Sequence, residues 1–232
     1  GRVKIKLSRE VVGKISNVTV TRIASGKYYV SLCVTYEADA FSNAGGQLGI
    51  DVGLKEFYSD SNGNTVANPR TLREWSRKLA REQRKLSRKM PRSRRRDKQR
   101  IRVARVHEHI ANIRQDFLHK LSTKLVRENK TIAIEDLKVK NMMKNHKLAK
   151  AIADVSWSEF FRMLEYKATL YGSEVIRIPT FYPSSQTCHE CGYQNPITKD
   201  LSVREWDCPK CGHHCDRDVN AAQNILAVAL SS

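Results

Sequence analysis

The order of strand-like and helix-like segments after residue 46 restricts the fold of this chain most strongly. Three short strand patterns come first, a long helical region follows, and strands then alternate with helices. The predicted elements are strands 47–52, 57–59 and 65–66, a helical region 72–127 broken at Pro91, strand 131–134, helix 157–170, strand 174–178 and helix 219–230. This β-β-β-α-β-α-β-α order predicts an α/β fold with a mixed sheet, in which the first and fourth strands are central neighbours.

Three antiparallel strands, followed by strands that helical crossovers reach, are the order of ribonuclease-H-like proteins. We therefore predict a ribonuclease-H-like fold for residues 45–183. A separate β-rich segment precedes it over residues 1–44. Alternating side chains and a Ser-Gly turn predict a hairpin or small barrel fragment in this segment, with strand patterns at 4–7, 18–23 and 28–36.

The charge of the chain is strongly one-sided. It has 42 Lys and Arg residues against 24 Asp and Glu residues, a formal net charge of +18. Most of the excess lies between Arg70 and Arg105, where mutual repulsion calls for a counter-charge that phosphates supply. A solvated helix face and an anionic membrane surface are the alternatives. We predict that nucleic acid is bound by arginines of this basic insertion at about 70–127, namely Arg77, Arg81, Arg84, Arg88, Arg92, Arg94, Arg95 and Arg96.

The sequence lacks the features of membrane and secreted proteins. No segment approaches the roughly 20 apolar residues that a membrane span needs, and no secretory signal opens the chain. We therefore expect no membrane partner and a reducing compartment. Nothing in the sequence identifies a protein partner.

Four of the six cysteines form two C-x-x-C pairs that are separated by sixteen residues. Gly192 or Gly212 follows each pair directly, where the backbone has to turn tightly. Two such knuckles fit one tetrahedral zinc ion, and four thiolates leave no open position for water, so the predicted role is structural. The predicted ligands are Cys188, Cys191, Cys208 and Cys211. Competing candidates, which we expect around the site or at the surface, are His189, His213, His214 and Cys215. Cys33 lies in a strand pattern and is expected in the core.

Three carboxylates stand where predicted elements end or begin. Asp51 ends the first strand within 49–53 (GIDVG), Glu135 follows the strand at 131–134, and Asp218 lies in the first turn of the last helix. If the first and fourth strands are neighbours, the three side chains converge, and such charges need cations to stay close. Two Mg²⁺ ions would neutralise them, generate the attacking hydroxide and stabilise the leaving oxygen in phosphodiester hydrolysis. Taken singly, each acid also suits a plainer role in a turn, at the surface or at a helix cap. Asp216, two residues before Asp218, is expected to cap the last helix or to lie outside the metal ligands.

At these residues the chain resembles the TnpB family of transposon-encoded, RNA-guided DNA nucleases, relatives of the type V CRISPR effectors. The matching stretches are GIDVG (49–53), IEDL (134–137), the long stretch 144–168, the PSSQTC and CGY segments around Cys188, and CPKCGHHCDRDVNAAQNIL (208–226). The resemblance implies a RuvC-type nuclease domain that acts on target DNA with a guide RNA. It assigns the acidic triad to Asp51, Glu135 and Asp218, with Mg²⁺ as the catalytic metal, and zinc to the four paired cysteines.

The resemblance also implies a division of the chain and a place in the cell. The expected parts are a wedge-domain remnant at 1–44, a RuvC-like domain at 45–183 with the basic insertion, a zinc ribbon at 184–214 and a final RuvC helix at 215–232. Family members have a longer N-terminal part, and since the first predicted strands begin almost at Gly1, we expect that part to be missing here. We expect a cytoplasmic, nucleoid-associated protein of a prokaryote.

Three functional hypotheses follow from these observations. The first is a Mg²⁺-dependent, RNA-guided DNA endonuclease of transposon origin. The second is a non-cleaving, nucleic-acid-binding fragment that acts as a repressor or as an accessory of the transposon. The third is a recombinase that also joins strands, although nothing in the sequence provides a covalent DNA intermediate.

Overall fold

The computed structural model describes residues 3–37, 42–200 and 202–231, and the chain divides into two compact units. The first unit consists of Gly1–Asp39 with Thr71–Ile113, and the second of Ala40–Arg70 with Arg114–Ser232. Among the described residues, no helix is both long enough and apolar enough to cross a lipid bilayer.

A β-hairpin belongs to the first unit. Strands β1 (Lys14–Arg22) and β2 (Tyr28–Thr35) pair antiparallel, and Gly26 turns the chain between them with a φ of 88°. The predicted hairpin is confirmed, whereas residues 4–7 form no strand, so that part of the prediction was wrong. The expectation that Cys33 is a core residue was also wrong, because the two strands lie largely open and leave this side chain exposed.

Two helices form the basic region, as predicted. Helix α1 (Thr71–Ser87) and helix α2 (Arg94–Glu128) are separated by a turn that contains Pro91, whose ring and missing N–H stop a helix. In the first unit, Leu79 of α1 packs against one face of α2, at Val103, Val106 and Ile110. The Ser93 hydroxyl accepts a hydrogen bond from the backbone N–H of Arg96 (3.2 Å) at the start of α2.

A five-stranded mixed sheet is the centre of the second unit. Its strands are β3 (Gly46–Val52), β4 (Glu56–Asp60), β5 (Thr65–Ala67), β6 (Asn129–Glu135) and β7 (Glu174–Ile178), in the order β5-β4-β3-β6-β7. The first three are antiparallel to one another, and β6 runs parallel to both β3 and β7. The prediction that the first and fourth sheet strands are central neighbours is therefore confirmed.

Both faces of this sheet are covered. On one face, Ile50 of β3 and Ile134 of β6 join a core that includes the second half of α2 and helix α5 (Trp157–Tyr171). On the other face, Ala133 of β6 and Ile178 of β7 pack against Ile225 of helix α6 (Arg217–Leu230). Hydrophobic side chains on both faces of the central strands are typical of strands covered by helices.

The remaining elements were not predicted. Helices α3 (Val139–Met142) and α4 (His146–Val155) lie between β6 and α5, and a 3₁₀ helix (Pro196–Lys199) follows β7. Strands β8 (Glu205–Asp207) and β9 (His214–Asp216) form a two-stranded sheet just before α6. These pieces are three to ten residues long, too short for hydrophobic periodicity to identify them.

Candidate metal centres and nucleic-acid interface

Asp51 and Glu135 lie at corresponding ends of two neighbouring parallel strands. Ile50 of β3 pairs in register with Ile134 of β6, and each acidic residue directly follows its paired isoleucine. Successive side chains point to opposite faces of a strand. Because the isoleucines point into the α2 and α5 layer, both carboxylates lie on the face that α6 covers.

Gly49 allows α6 to approach this face closely. A Cβ atom at Gly49 would overlap the backbone oxygen of Ala222 and lie 2.9 Å from Cβ of Leu226, so only glycine fits without a shift of the helix. Ala221 and Ala222 are completely buried, and their small side chains match this short separation. The close packing brings the first turn of α6, which carries Asp218, towards the strand ends.

The two aspartates at the start of α6 have different roles. Asp216 is the N-cap residue, and its Oδ1 accepts hydrogen bonds from the backbone N–H groups of Asp218 (3.0 Å) and Val219 (2.9 Å). The Asp218 carboxylate instead faces Arg204, whose Nη1 lies 3.2 and 3.3 Å from its two oxygens. The prediction that Asp216 caps the helix is confirmed, and Asp218 keeps its carboxylate outside the cap.

The charges of the other two carboxylates act on Asp51. Burial raises the pKa of Asp51 well above its ordinary value, and the charges of Glu135 and Asp218 raise it further, while Arg217 and Arg204 oppose the rise. Burial also raises the pKa of Glu135, and a hydrogen bond from Ser184 partly reverses that change. The cost of holding these negative charges near one another is the property that a divalent cation removes.

Ser184 is a site residue that the sequence did not predict. Its hydroxyl donates a hydrogen bond of 2.6 Å to Oε1 of Glu135. The backbone oxygen of Ser184 accepts a bond of 2.8 Å from Nδ2 of Asn224, which also donates to the Thr187 oxygen at 2.6 Å. The buried asparagine of α6 therefore fixes the segment that orients Glu135. A buried amide in an otherwise apolar helix needs partners, and that requirement is the signal by which Asn224 could have been found.

A second buried amide, one helical turn earlier, links α6 to the first cysteine pair. Asn220 donates from Nδ2 to the Thr187 oxygen (2.7 Å) and accepts at Oδ1 from the backbone N–H of His189 (2.9 Å), next to Cys188. Asn220 and Asn224 thus hold one strap, residues 184–189, against the helix that carries Asp218.

The four paired cysteines form a compact cluster, as predicted. Their sulfur atoms all lie within 4.8 Å of one another, with Cys188 3.8 Å from Cys211 and Cys191 3.5 Å from Cys208. A tetrahedral zinc ion with bonds of about 2.3 Å separates its sulfur ligands by roughly 3.8 Å. The distances and the softness of thiolate ligands therefore fit zinc without rearrangement.

Matching backbone turns hold the two cysteine pairs. In the first, the N–H of Gly192 donates to the Cys188 oxygen (2.9 Å), and in the second the N–H of Gly212 donates to the Cys208 oxygen (2.8 Å). Both glycines have positive φ values, 71° and 73°, which a residue with a side chain rarely adopts. The expected tight turns behind each pair are confirmed.

The competing candidates do not join this cluster. His214 Nδ1 lies 2.8 Å from the Asp207 carboxylate, and Cys215 packs beside Trp206 in the small β8–β9 sheet. In the described part of the chain, the ligand atoms of these four cysteines lie close enough together to hold one metal ion. Of the three candidate carboxylates, Asp218 forms an ion pair with Arg204 at 3.2 Å.

The predicted nucleic-acid-binding arginines lie on α1, at the start of α2 and in the turn between them. All are exposed except Arg96, which is half-buried and donates from Nη1 to the backbone oxygens of Leu86 (3.1 Å) and Lys89 (3.2 Å). Arg96 therefore holds the turn.

Along α1 an open groove of about 570 Å³ is lined by Glu74, Trp75, Arg77, Lys78, Arg81 and Arg84. Glu82 is buried and bonded to Lys85 and Gln99, so it leaves the exposed charge strongly positive.

The fold is a mixed α/β fold shared with solved nucleic-acid complexes. The chain aligns with the protein of a "Cas12f1-sgRNA-target DNA complex" with a TM-score of 0.55 and 19% identity, over 90% of this chain and 55% of that one. A "CRISPR-Cas12f Ternary Complex" gives a TM-score of 0.57, also at 19% identity, over 90% of this chain and 44% of that one. At 19% identity, these two likenesses show that the chain shares its fold with those proteins.

The family follows from the sequence comparisons. The OrfB_IS605 model, described as "Probable transposase", matches residues 31–146, and the "Cas12f1-like, TNB domain" model matches residues 157–225. The chain belongs to this transposon-encoded family, that of the TnpB proteins.

Two curated relatives show how much of a family member the chain represents. It is 46% identical, over 94% of its length, to a Streptomyces pristinaespiralis protein named "Putative RNA-guided DNA endonuclease". It is 35% identical, over 98% of its length, to the Escherichia coli K12 protein "Putative RNA-guided DNA endonuclease InsQ". The chain covers 54% and 60% of these two relatives, so it spans somewhat more than half the length of each.

Proposed function

We propose that the chain carries the nuclease part of an RNA-guided DNA endonuclease with a ribonuclease-H-like, RuvC-type fold. The observation that carries this proposal is the register of β3 and β6. That register places Asp51 and Glu135 side by side on the face covered by α6, whose first turn carries Asp218. The curated relatives are named for the same activity.

The proposed catalytic residues are Asp51, Glu135 and Asp218, which would hold Mg²⁺ through hard carboxylate oxygens. When bound, divalent ions supply an activated water and neutralise the charge that develops on the leaving oxygen. Ser184 keeps the Glu135 carboxylate in one orientation, and Arg204 supplies a positive charge beside Asp218. Burial raises the pKa of Asp51 and the charges of Glu135 and Asp218 raise it further, which supports a shared cation site.

The four-cysteine cluster is proposed to be a structural zinc ribbon at residues 184–214. Four thiolates complete a tetrahedral shell, so water has no place on the metal and no catalytic role is expected. Its function is mechanical, because the strap that it anchors, residues 184–189, carries Ser184 to Glu135.

The nucleic-acid partners are proposed to be a guide RNA and its DNA target, bound partly by the basic helices. Exposed arginines on α1 and at the start of α2 outnumber the acidic side chains of the same stretch, which are Glu74, Glu82 and Asp97. Such binding releases counterions and weakens steeply with salt. The proposal retains the division into a wedge-domain remnant, RuvC-like domain, zinc ribbon and final helix, and a location at the bacterial nucleoid.

The test is cleavage of a plasmid matched to the guide, with guide RNA and Mg²⁺. Glu135→Gln, which keeps the shape but removes the charge, is expected to lower the cleavage rate at least about a hundredfold. Glu174→Gln is the matched control, since Glu174 is an exposed residue at the opposite end of the same sheet. Equal rates for the two variants would refute the assignment.

A non-cleaving, nucleic-acid-binding role is the second candidate. It is favoured by the ion pair between Arg204 and Asp218, in which a guanidinium lies beside the carboxylate that the nuclease proposal gives to a metal ion. Salt-sensitive binding without cleavage under Mg²⁺ or Mn²⁺ would support this role. Metal-dependent nicking that is lost in Glu135→Gln would exclude it.

A further inference from the structure

Phe181 is an apolar side chain that the nuclease proposal leaves unexplained. Among the large hydrophobic residues in the described part of the chain, it has the highest exposed fraction, 94%. It lies in the segment that connects β7 with the first cysteine pair. Single exposed apolar residues are common, so exposure alone does not indicate a function.

The backbone around Phe181 is held firmly, which distinguishes it from a residue on a loose loop. The N–H of Tyr182 donates to the Pro179 oxygen (3.1 Å), and the N–H of Ser184 donates to the Tyr182 oxygen (2.8 Å). The Tyr182 ring packs against the core formed by β7 and α6. Of the two adjacent aromatic residues, one is therefore anchored in the core and the other is presented to solvent.

Residues on both sides of Phe181 form hydrogen bonds with two neighbouring acids, Glu135 at the end of β6 and Asp136 directly after it. Thr180 donates from Oγ1 to the Asp136 carboxylate (2.9 Å), and Ser184 donates from Oγ to Glu135 (2.6 Å). Three residues of chain span at most about 10 Å, so the backbone of Phe181 lies within that distance of Ser184. The backbone that carries the exposed ring is thus held at the edge of the carboxylate site.

We propose that the ring of Phe181 stacks on an unpaired nucleobase of the DNA strand that enters the carboxylate site. This inference rests on the proposed nuclease function and adds a residue that positions the substrate strand. A phenyl ring offers a π-face and no hydrogen-bonding group, so it accepts any base without reading its identity. Bases within a duplex are stacked on their neighbours, so the ring selects a strand that is already unpaired.

Direct binding tests the proposal without requiring cleavage. The full chain carrying Glu135→Gln is titrated into single-stranded oligo-dT of about 12 nucleotides, with one 2-aminopurine placed at each position in turn. Stacking on the ring quenches 2-aminopurine fluorescence, and we expect quenching at one or two adjacent positions. Phe181→Leu keeps the apolar side chain but lacks the ring, and it should lose this quenching, whereas Phe181→Trp should keep it. The control is Ile197→Ala, an exposed hydrophobic residue on the 3₁₀ helix.

Cleavage kinetics provide the second readout. With Glu135 intact, Phe181→Leu is expected to raise KM for single-stranded DNA about tenfold while kcat changes less, and Phe181→Trp should restore KM. Quenching and KM that are the same in Phe181→Leu and in the unaltered chain would overturn the stacking proposal and leave the nuclease proposal standing. Position-specific quenching that depends on Phe181, in a chain that never cleaves, would keep the stacking site and overturn the nuclease proposal.

Discussion

The cysteine cluster and the carboxylate site are two candidate metal centres that the chain assembles in different ways. All four cysteines come from a stretch of 24 residues, and two glycine turns set their geometry locally. The three carboxylates come from β3, β6 and α6, which are separated by more than 80 residues at each step. Local turns can be read from spacing, whereas the carboxylate site exists only if the sheet register and the docking of α6 are correct.

The largest expected effect comes from Gly49, where sheet and helix meet. Gly49→Val would force side-chain carbons into the space of Ala222 and Leu226, and we expect it to lower the free energy of unfolding by about 3 kcal/mol or more. Denaturant unfolding measures the free energy of unfolding of this variant and of its control. Gly53→Val is the matched control, because a Cβ there would lie 3.1 Å from the Glu56 oxygen, a close contact that a shift of a few tenths of an ångström relieves. A Gly49→Val chain as stable as the control would mean that α6 does not pack on β3 as described.

The next prediction concerns the cysteine cluster, the first of the two candidate metal centres. Cys208→Ser is expected to lower the zinc content from about one equivalent to near zero and to unfold the ribbon, since three thiolates hold the metal less well. Metal analysis of the purified chain gives the stoichiometry. Cys33→Ser, at an exposed residue outside the cluster, should leave the zinc content unchanged. Full zinc occupancy in Cys208→Ser would contradict the four-cysteine assignment.

The next effect on stability concerns the strap, residues 184–189, which links the two centres. Asn224→Ala would leave the Ser184 oxygen without its buried donor and the Thr187 oxygen with only Asn220, at an expected cost of about 1–3 kcal/mol in unfolding free energy. Gln223→Ala, at the neighbouring, partly exposed position, should cost less than about 0.5 kcal/mol. Thermal unfolding compares them. If the two variants are equally stable, the strap is not held by Asn224.

The smallest stability effect should come from the helix cap. Asp216→Ala removes the acceptor for two backbone N–H groups of α6 and is expected to cost about 1 kcal/mol. Asp218→Ala removes no cap bond and should change stability by a smaller amount, since its ion pair with Arg204 is partly exposed. Chemical denaturation of the two variants provides the measurement. A larger loss in Asp218→Ala would reverse the roles assigned here.

The sequence predicted the sheet strands and the long helices because hydrophobic periodicity and Pro91 mark them. It also predicted the cysteine turns and the cap at Asp216, which depend on residues close in sequence. It did not predict Ser184, Arg204 or the two buried asparagines, because their partners lie at least 14 residues away. The strand expected at residues 4–7 failed because alternating side chains do not provide a pairing partner.

The central claim is that Asp51, Glu135 and Asp218 form one metal-dependent nuclease site. The most direct test is the Mg²⁺-dependent cleavage rate of Asp218→Asn relative to that of Asp216→Asn. The account predicts that Asp218→Asn loses at least about a hundredfold and that Asp216→Asn stays within about tenfold of the unaltered chain. Equal rates for the two variants, or a greater loss in Asp216→Asn, would contradict it.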